Sequence, residues 1–195
     1  ECIAKANVNP ADIKGFANSS ALPSLVLVDE NHEPIHMAYN LLDRRATEQV
    51  EWLRRHIGET KLFEVSANRI EDHPSLVNLM WEKHNRPEDF KRVHKALTID
   101  GYIRLKLTGK ATSNYSAGAW WGVAYDVRKN GFDTALLEKI GLSPDIMPDF
   151  HSCDEIIGHV TPGAARQTGL PAGIPVPAGS VDCNAGGLAD GIIGG

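Results

Sequence analysis

The stretch from Ile174 to Ile192 constrains this chain most, because it changes from one backbone period to another within a few residues. Ile174-Pro-Val-Pro-Ala178 is a short apolar run of strand type, and Gly179-Ser180 supplies a tight turn. Ala185, Leu188, Ala189 and Ile192 then recur at helical spacing, with Asp182 at about the first residue of the helix. A strand feeding a helix through such a turn is a unit of α/β architecture, and ligands tend to bind at the strand ends of these sheets. Asp182 reads two ways. Asp is among the preferred helix caps, and the residue pattern alone favours that role. A carboxylate at a strand end beside Gly179, Gly186 and Gly187 also has the address of a catalytic group, since glycines let a substrate or phosphate approach the backbone. The helix N-terminus would keep the carboxylate ionised. The two roles are compatible.

The segment just upstream repeats the unit. Ile156 to Val160 reads as a strand, Thr161-Pro162 as a helix start with Thr as cap, and Gly169 as the helix end. Near the start, Gly15-Phe-Ala17 and Leu25 to Val28 read as strands, the second closed by the polar turn Asp29 to His32. A further extended segment runs from Ile35 to Leu42. Ala46, Val50, Leu53 and Ile57 then mark one buried face of a helix ending at Gly58.

The middle reads as helical. Leu76, Leu79, Met80 and Lys83 define one helix, and Pro87 opens another carrying Phe90, Val93 and Leu97. Ile99, Ile103 and Leu107 mark a third, stopped by Gly109, and Phe132 to Ile140 a fourth, stopped by Gly141. The predicted architecture is α/β: strands first, a helical insertion, then strand–helix units.

Composition serves here to exclude partners. Twenty basic residues against 25 acidic ones give a net charge of −5, with no Lys/Arg run, which argues against nucleic acid. No stretch approaches the roughly 18 apolar residues of a membrane span, and no secretory leader is visible. Cys2, Cys153 and Cys183 match neither a zinc spacing nor a disulfide framework, so a reducing cytoplasm is expected. No P-loop motif occurs, and Ala178-Gly-Ser-Val-Asp182 is not a hydrolase nucleophile elbow, so Ser180 is a poor nucleophile.

Asp43-Arg44-Arg45 precedes a helix and reads as a cap with a solvated first turn. Two arginines near the positive helix end nevertheless ask for a partner, such as a carboxylate or a sugar hydroxyl. His73, in the loop Arg69-Ile-Glu-Asp-His73, reads as a surface histidine, and Asp72-His73 lacks a third metal ligand at useful spacing. Trp120-Trp121 reads as packing or as a lid over a pocket.

Four segments in order carry a resemblance. They are Gly15 to Asp29; Leu42-Asp-Arg-Arg45; Leu97-Thr-Ile-Asp-Gly-Tyr-Ile-Arg-Leu-Lys-Leu-Thr-Gly109, followed by Thr112 to Ser116; and Ile157-Gly-His-Val-Thr-Pro162 through Gly173 to the Val176–Gly187 run. From about Ile13 onward the chain resembles the first domain of the FGGY family of carbohydrate kinases, in its xylulokinase-like branch. The resemblance implies an actin-like (ribonuclease H-like) ATPase domain with a mixed sheet, flanking helices and a helical insertion. It implies that residues 1–195 form most of the sugar-binding N-terminal domain. The family's Asp-x-Gly-Thr phosphate loop is then expected before Glu1 and the nucleotide domain after Gly195, so this piece alone is expected to be inactive.

The implied reaction moves the γ-phosphate of ATP, with Mg2+, to a sugar hydroxyl; the partners are a small sugar and ATP, and the resemblance allows a homodimer. D-Xylulose is the first expectation, with ribulose, another ketose or a polyol as alternatives. Asp182 matches the family's catalytic base, and Cys183 and Asn184 would line the same pocket. Asp43 and Arg45 match the second element and would order the sugar site. Ser20 to Pro23, Leu22 included, occupies the sugar-contacting loop, where Ala21-Leu22-Pro23 replaces the usual Gln-Met-His of xylulokinases. His73 stands where related kinases place a substrate-contacting aromatic. These departures leave the sugar open. Readings from other classes are an actin- or chaperone-like ATPase without a sugar substrate, and a non-catalytic sugar-binding module.

Overall fold

The structure, a computed structural model, describes residues 2–73 and 75–192. In chain order the first elements are α1 (Cys2–Lys5), β1 (Ser19–Ser20), β2 (Val26–Val28), α2 (Thr47–His56), α3 (Glu59–Ser66), α4 (Ser75–Asn85) and α5 (Pro87–Phe90). Next come β3 (Lys95–Leu97), α6 (Ile99–Thr108), β4 (Thr112–Asn114), α7 (Gly118–Trp121), β5 (Tyr125–Asp126), β6 (Gly131–Phe132) and α8 (Thr134–Lys139). The last are β7 (Asp149–His151), β8 (Ile156–His159), α9 (Pro162–Thr168), β9 (Pro175–Pro177), β10 (Ser180–Val181) and α10 (Asp182–Ala189).

The strands pair two by two. β1 with β10 and β4 with β7 are parallel; β2 with β3, β5 with β6 and β8 with β9 are antiparallel. The parallel β1–β10 pair sets Ser20 opposite Val181, so the two ends of the sequence meet at the position of interest.

Burial falls into two main bodies. Leu25, Leu27, Leu53, Leu62, Leu76, Leu79, Trp121 and Leu137 anchor the larger. Leu107, Ile157, Val160, Val176 and Ala178 form the smaller, with Ile13 and Phe16 packed on it. Each fully buried aliphatic side chain contributes about 1.5–3 kcal/mol of transfer free energy. Helix α6 stands between them: Leu107 belongs to the smaller body, while Leu105 joins Val26, Val28 and Leu97 in a further cluster.

Local signals place several boundaries as expected. Thr161 accepts from Ala164 N at the start of α9, and Gly109, Gly141 and Gly169 take positive φ after α6, α8 and α9. The turn after β2 closes with Asp29 N donating to Glu33 O at 3.0 Å. Four expectations differ. Gly15–Ala17 is not a strand; Phe16 N meets Pro175 O at 3.0 Å, and pairing begins only at β1, where β10 offers a partner. The helix opened by Pro87 stops at Phe90, and Leu97 lies in β3, because its fully buried side chain and backbone complete the β2 edge. Helix α3 lies in a stretch that carried no helix prediction of its own. Helix α6 forms as predicted but turned over: Ile99 and Ile103 are 41% and 38% exposed, whereas Asp100 and Arg104 are buried. A buried Asp–Arg pair displaces the apolar stripe there.

Candidate active site

The site is built on the turn between β9 and α10. Gly179 takes φ +74°, and a Cβ there would sit 2.4 Å from Asn18 O, so this position requires glycine. Ser180 N donates to Asn18 O at 3.3 Å, and Val181 N donates to Ser116 Oγ at 3.0 Å. Val181 is buried in a small cluster with Leu22 and Ala117, against which Trp120 packs. Asp182 follows as the first residue of α10. Its side chain is not the cap: Val181 occupies the cap position, and among the described residues Asp182 Oδ1 accepts only from Cys183 N, at 2.7 Å. The residue is exposed, so the rest of the carboxylate faces solvent. Cys183 and Asn184 are exposed on the same turn, linked by Cys183 Sγ donating to Asn184 Oδ1 at 3.3 Å. The two tryptophans divide: Trp121 is wholly buried in the core, and Trp120 borders the Leu22 cluster.

The loop after β1 approaches this turn. Ser20 is opposite Val181, and its Oγ is buried without a hydrogen-bond partner among the described residues. Leu22 and Pro23 are buried. Ser24 closes the loop: its carbonyl accepts from Ser75 Oγ at 2.8 Å and its Oγ from Ile99 N at 3.0 Å.

Asp43, Arg45 and His73 belong to a second group. Arg45 Nε reaches both Asp43 oxygens at 2.9 and 3.0 Å, and its guanidinium lies 4.7 Å from the Tyr39 ring centre and 4.8 Å from that of Trp81. The hydrogen bond to the Asp43 carboxylate holds the Arg45 pKa above its ordinary value. Asp43 is therefore no helix cap; α2 has Ala46 at that position. Below the rings, the hydroxyl of Tyr39 donates to Glu82, whose carboxylate is fully buried and also meets His36 Nε2 at 2.8 Å. Burial first, then the Glu82 carboxylate, keeps the Tyr39 hydroxyl protonated well above the usual phenol range. Arg44 donates to Asp72 Oδ1 at 2.7 Å and lies 3.0 Å from His73 Nδ1. That nitrogen also stands 3.2 Å from Glu71 Oε2, so it either accepts from Arg44 or donates to Glu71. Both arginines thus find carboxylates within the chain.

The structure sets Ser20 opposite Val181 and packs Leu22 in the same cluster, one residue before Asp182, and links the Asp43–Arg45 turn to the His73 loop through Arg44. Among the described residues no hydrogen bond or ion pair joins the second group to Asp182; Ser24–Ser75 links the β1 loop to the start of α4, two residues after His73. Tyr39, Trp81 and Glu82 escaped the sequence-based expectations, since a Glu on a helix carries no sign that it is buried. Asp100 and Arg104 left a visible trace in their i, i+4 spacing. A cavity of about 640 Å³ lined by Arg54, Glu59, Phe63, Asn68, Arg69 and Glu71 contains none of the residues singled out, and Asp182 lies on open surface. Among the described residues no group of three or more His, Cys, Asp or Glu is placed to hold a metal ion. Mg2+ is commonly held by only one or two carboxylates together with substrate phosphates, so it does not require such a group.

The exposed Asp182 carboxylate stands at a strand–turn–helix junction of an α/β domain, the kind of place where ligands tend to bind in such folds. Comparison gives that domain its family. The model of the FGGY family of carbohydrate kinases, N-terminal domain, matches residues 1–189. The xylulose kinase of Bacillus subtilis (strain 168) is 29% identical over 193 residues, covering 99% of this chain and 38% of its own length. The autoinducer-2 kinase of Klebsiella pneumoniae is 30% identical over 191 residues, covering 96% and 35%. The crystal structure of xylulose kinase from Rhodospirillum rubrum superposes with a TM-score of 0.86 at 26% identity, covering 92% of this chain and 37% of that one. The chain belongs to the FGGY family of carbohydrate kinases, and its fold is the actin-like ATPase fold of their N-terminal domain. It spans little more than a third of the length of these relatives.

Proposed function

We propose that the full-length protein transfers a phosphoryl group from ATP to a hydroxyl of a small sugar or polyol, with Asp182 as general base. One observation carries this reading: the exposed Asp182 carboxylate is held, among the described residues, by a single backbone amide, beside the Ser20–Pro23 loop. Phosphoryl transfer asks little covalent chemistry of the protein; it asks for an oriented nucleophile and stabilised charge. Asp182, the first residue of α10, accepts the proton of the attacking hydroxyl. Cys183 and Asn184, exposed on the same turn, contact the sugar, and the unpartnered Ser20 hydroxyl gives the site a further polar group. Leu22 and Pro23 form its apolar floor, while Asp43, Arg45 and His73 shape its far side.

ATP is the phosphoryl donor of the complete protein. A cytoplasmic location accompanies the need for ATP, and the described residues include no helix long and apolar enough to cross a membrane. A homodimer belongs to the proposal through the family resemblance alone. D-Xylulose is the first substrate to try, because xylulose kinases recur among the relatives. Autoinducer-2 kinases of similar identity make other open-chain polyhydroxy compounds the next.

The test is a panel of ketoses and polyols screened for ATP consumption by the full-length protein. Asp182→Asn should lower turnover by about 10²–10⁴-fold, the usual contribution of a general base, and leave sugar binding intact. Wild-type turnover in that variant removes Asp182 from the mechanism. ATP hydrolysis indifferent to every sugar favours a shape-changing ATPase instead.

A further inference from the structure

Asp182 owes its position to its backbone, because among the described residues its side chain bonds only the amide of the next residue. That backbone is gripped from two sides just before the aspartate. On one side β10 pairs with β1. On the other, the Val181 N–H donates not to a further strand but to Ser116 Oγ at 3.0 Å. The Ser116 hydroxyl is itself fixed, since its proton goes to Asn114 Oδ1 at 2.6 Å. Asn114 Oδ1 also accepts from Ala117 N at 3.0 Å, and its Nδ2 donates to Ala178 O at 3.2 Å and Asp100 Oδ2 at 3.3 Å. Arg104 anchors Asp100 at 2.8 Å and directs its other donors to Thr112 O at 3.1 Å, Thr112 Oγ1 at 3.2 Å and Asn18 Oδ1 at 3.4 Å. Asn114, Asp100 and Arg104 are buried, so water does not compete for these bonds. The network touches the chain at residues 18, 178 and 181, on both sides of the Gly179 turn.

We infer that Ser116 is a positioning residue for phosphoryl transfer: it holds the Val181 amide and so aims the Asp182 carboxylate, with Asn114 orienting the hydroxyl. This rests on the reading of Asp182 as the base. A base works only within hydrogen-bond reach of its proton, and displacement by about 1 Å costs on the order of 100-fold in rate. Ser116 is well suited to the task, because its acceptor lone pair faces one amide and its donor is committed to a buried partner. A serine that merely satisfied a buried amide would affect stability and leave the chemistry alone.

The experiment is a double-mutant cycle in the full-length protein, read as kcat, KM for sugar and ATP, and thermal midpoint. Ser116→Ala should lower kcat by about 10–100-fold with both KM values within about 2-fold of wild type, the signature of a lost transition-state alignment. Ser116→Thr, which keeps the hydroxyl, should restore most of kcat. In the Asp182→Asn background Ser116→Ala should cost nothing further in kcat, because there is no base left to aim. Wild-type kcat in Ser116→Ala, or an equal kcat loss whether or not Asp182 is present, overturns the inference. If Ser116→Ala does not fold, Ser116→Cys, with its weaker acceptor, takes its place in the same cycle and is judged by the same two outcomes. Full activity in Asp182→Asn alone instead overturns the assignment of the base, so the two failures are distinguishable.

Discussion

Arg104 donates to Asp100 Oδ2 at 2.8 Å across one turn of α6, and neither side chain is open to solvent. Truncating one member of such a pair strands the other in a low-dielectric interior, at a cost of about 3–5 kcal/mol. Arg104→Leu should therefore lower unfolding stability by about that amount, read from denaturant titration of the full-length protein. A loss below about 1 kcal/mol, the range of exposed pairs, would show that water reaches the pair.

Gly179→Ala combines two penalties. The left-handed backbone costs a non-glycine residue about 1–2 kcal/mol, and the new Cβ would stand 2.4 Å from Asn18 O. Gly173 has φ +82° with nothing within 4 Å of where a methyl group would sit, so it isolates the first penalty. Gly179→Ala should destabilise more than Gly173→Ala in paired thermal melts, and only Gly179→Ala should also reduce turnover, since Asp182 lies three residues on.

Arg45→Lys should not behave as a conservative change. Lysine cannot span both Asp43 oxygens or set a planar cation against both Tyr39 and Trp81. Losing the ring contacts alone is worth about 0.5–1 kcal/mol each. Steady-state kinetics should show a several-fold rise in sugar KM with kcat near wild type. An unchanged KM would separate this cluster from the sugar site.

Tyr125 supplies a pH dependence. Burial, then the neighbouring Tyr115 and Asp126 charges, pushes its pKa up to about 12 from 10.0. A raised pKa means that the folded state holds its proton while the unfolded chain releases it. The contribution to stability is thus fully present below pH 10.0 and is lost as pH rises towards about 12. Its hydroxyl has no partner among the described residues, so Tyr125→Phe should be neutral or stabilising at pH 7. The same variant should flatten the decline of the unfolding midpoint above pH 10.0, and a decline as steep as wild type would assign it to other groups.

Much of the site was legible in the sequence. The Gly179 turn, the helix beginning at Asp182 and the Thr161 cap follow from residues within a few positions of one another, and local backbone chemistry decides them. Less legible were features that depend on distant partners. Leu97 fits a helical period equally well, but its strand exists because Val26 stands opposite it. Ile99 and Ile103 mark an apolar face that solvent in fact meets, because Asp100 and Arg104 turn inward to partners at Asn18, Thr112 and Asn114.

By itself the sequence determined the α/β class, several helix boundaries and the place of Asp182 at the start of a helix, since propensity, capping and glycine geometry act over short range. Tertiary structure alone decided that Ser20 lies opposite Val181, that Ser116 grips the amide before Asp182, and that Arg45 packs on the rings of Tyr39 and Trp81 while Tyr39 meets the buried Glu82. Most of those contacts join residues far apart in the chain, and no local pattern encodes which of many polar side chains will be buried together.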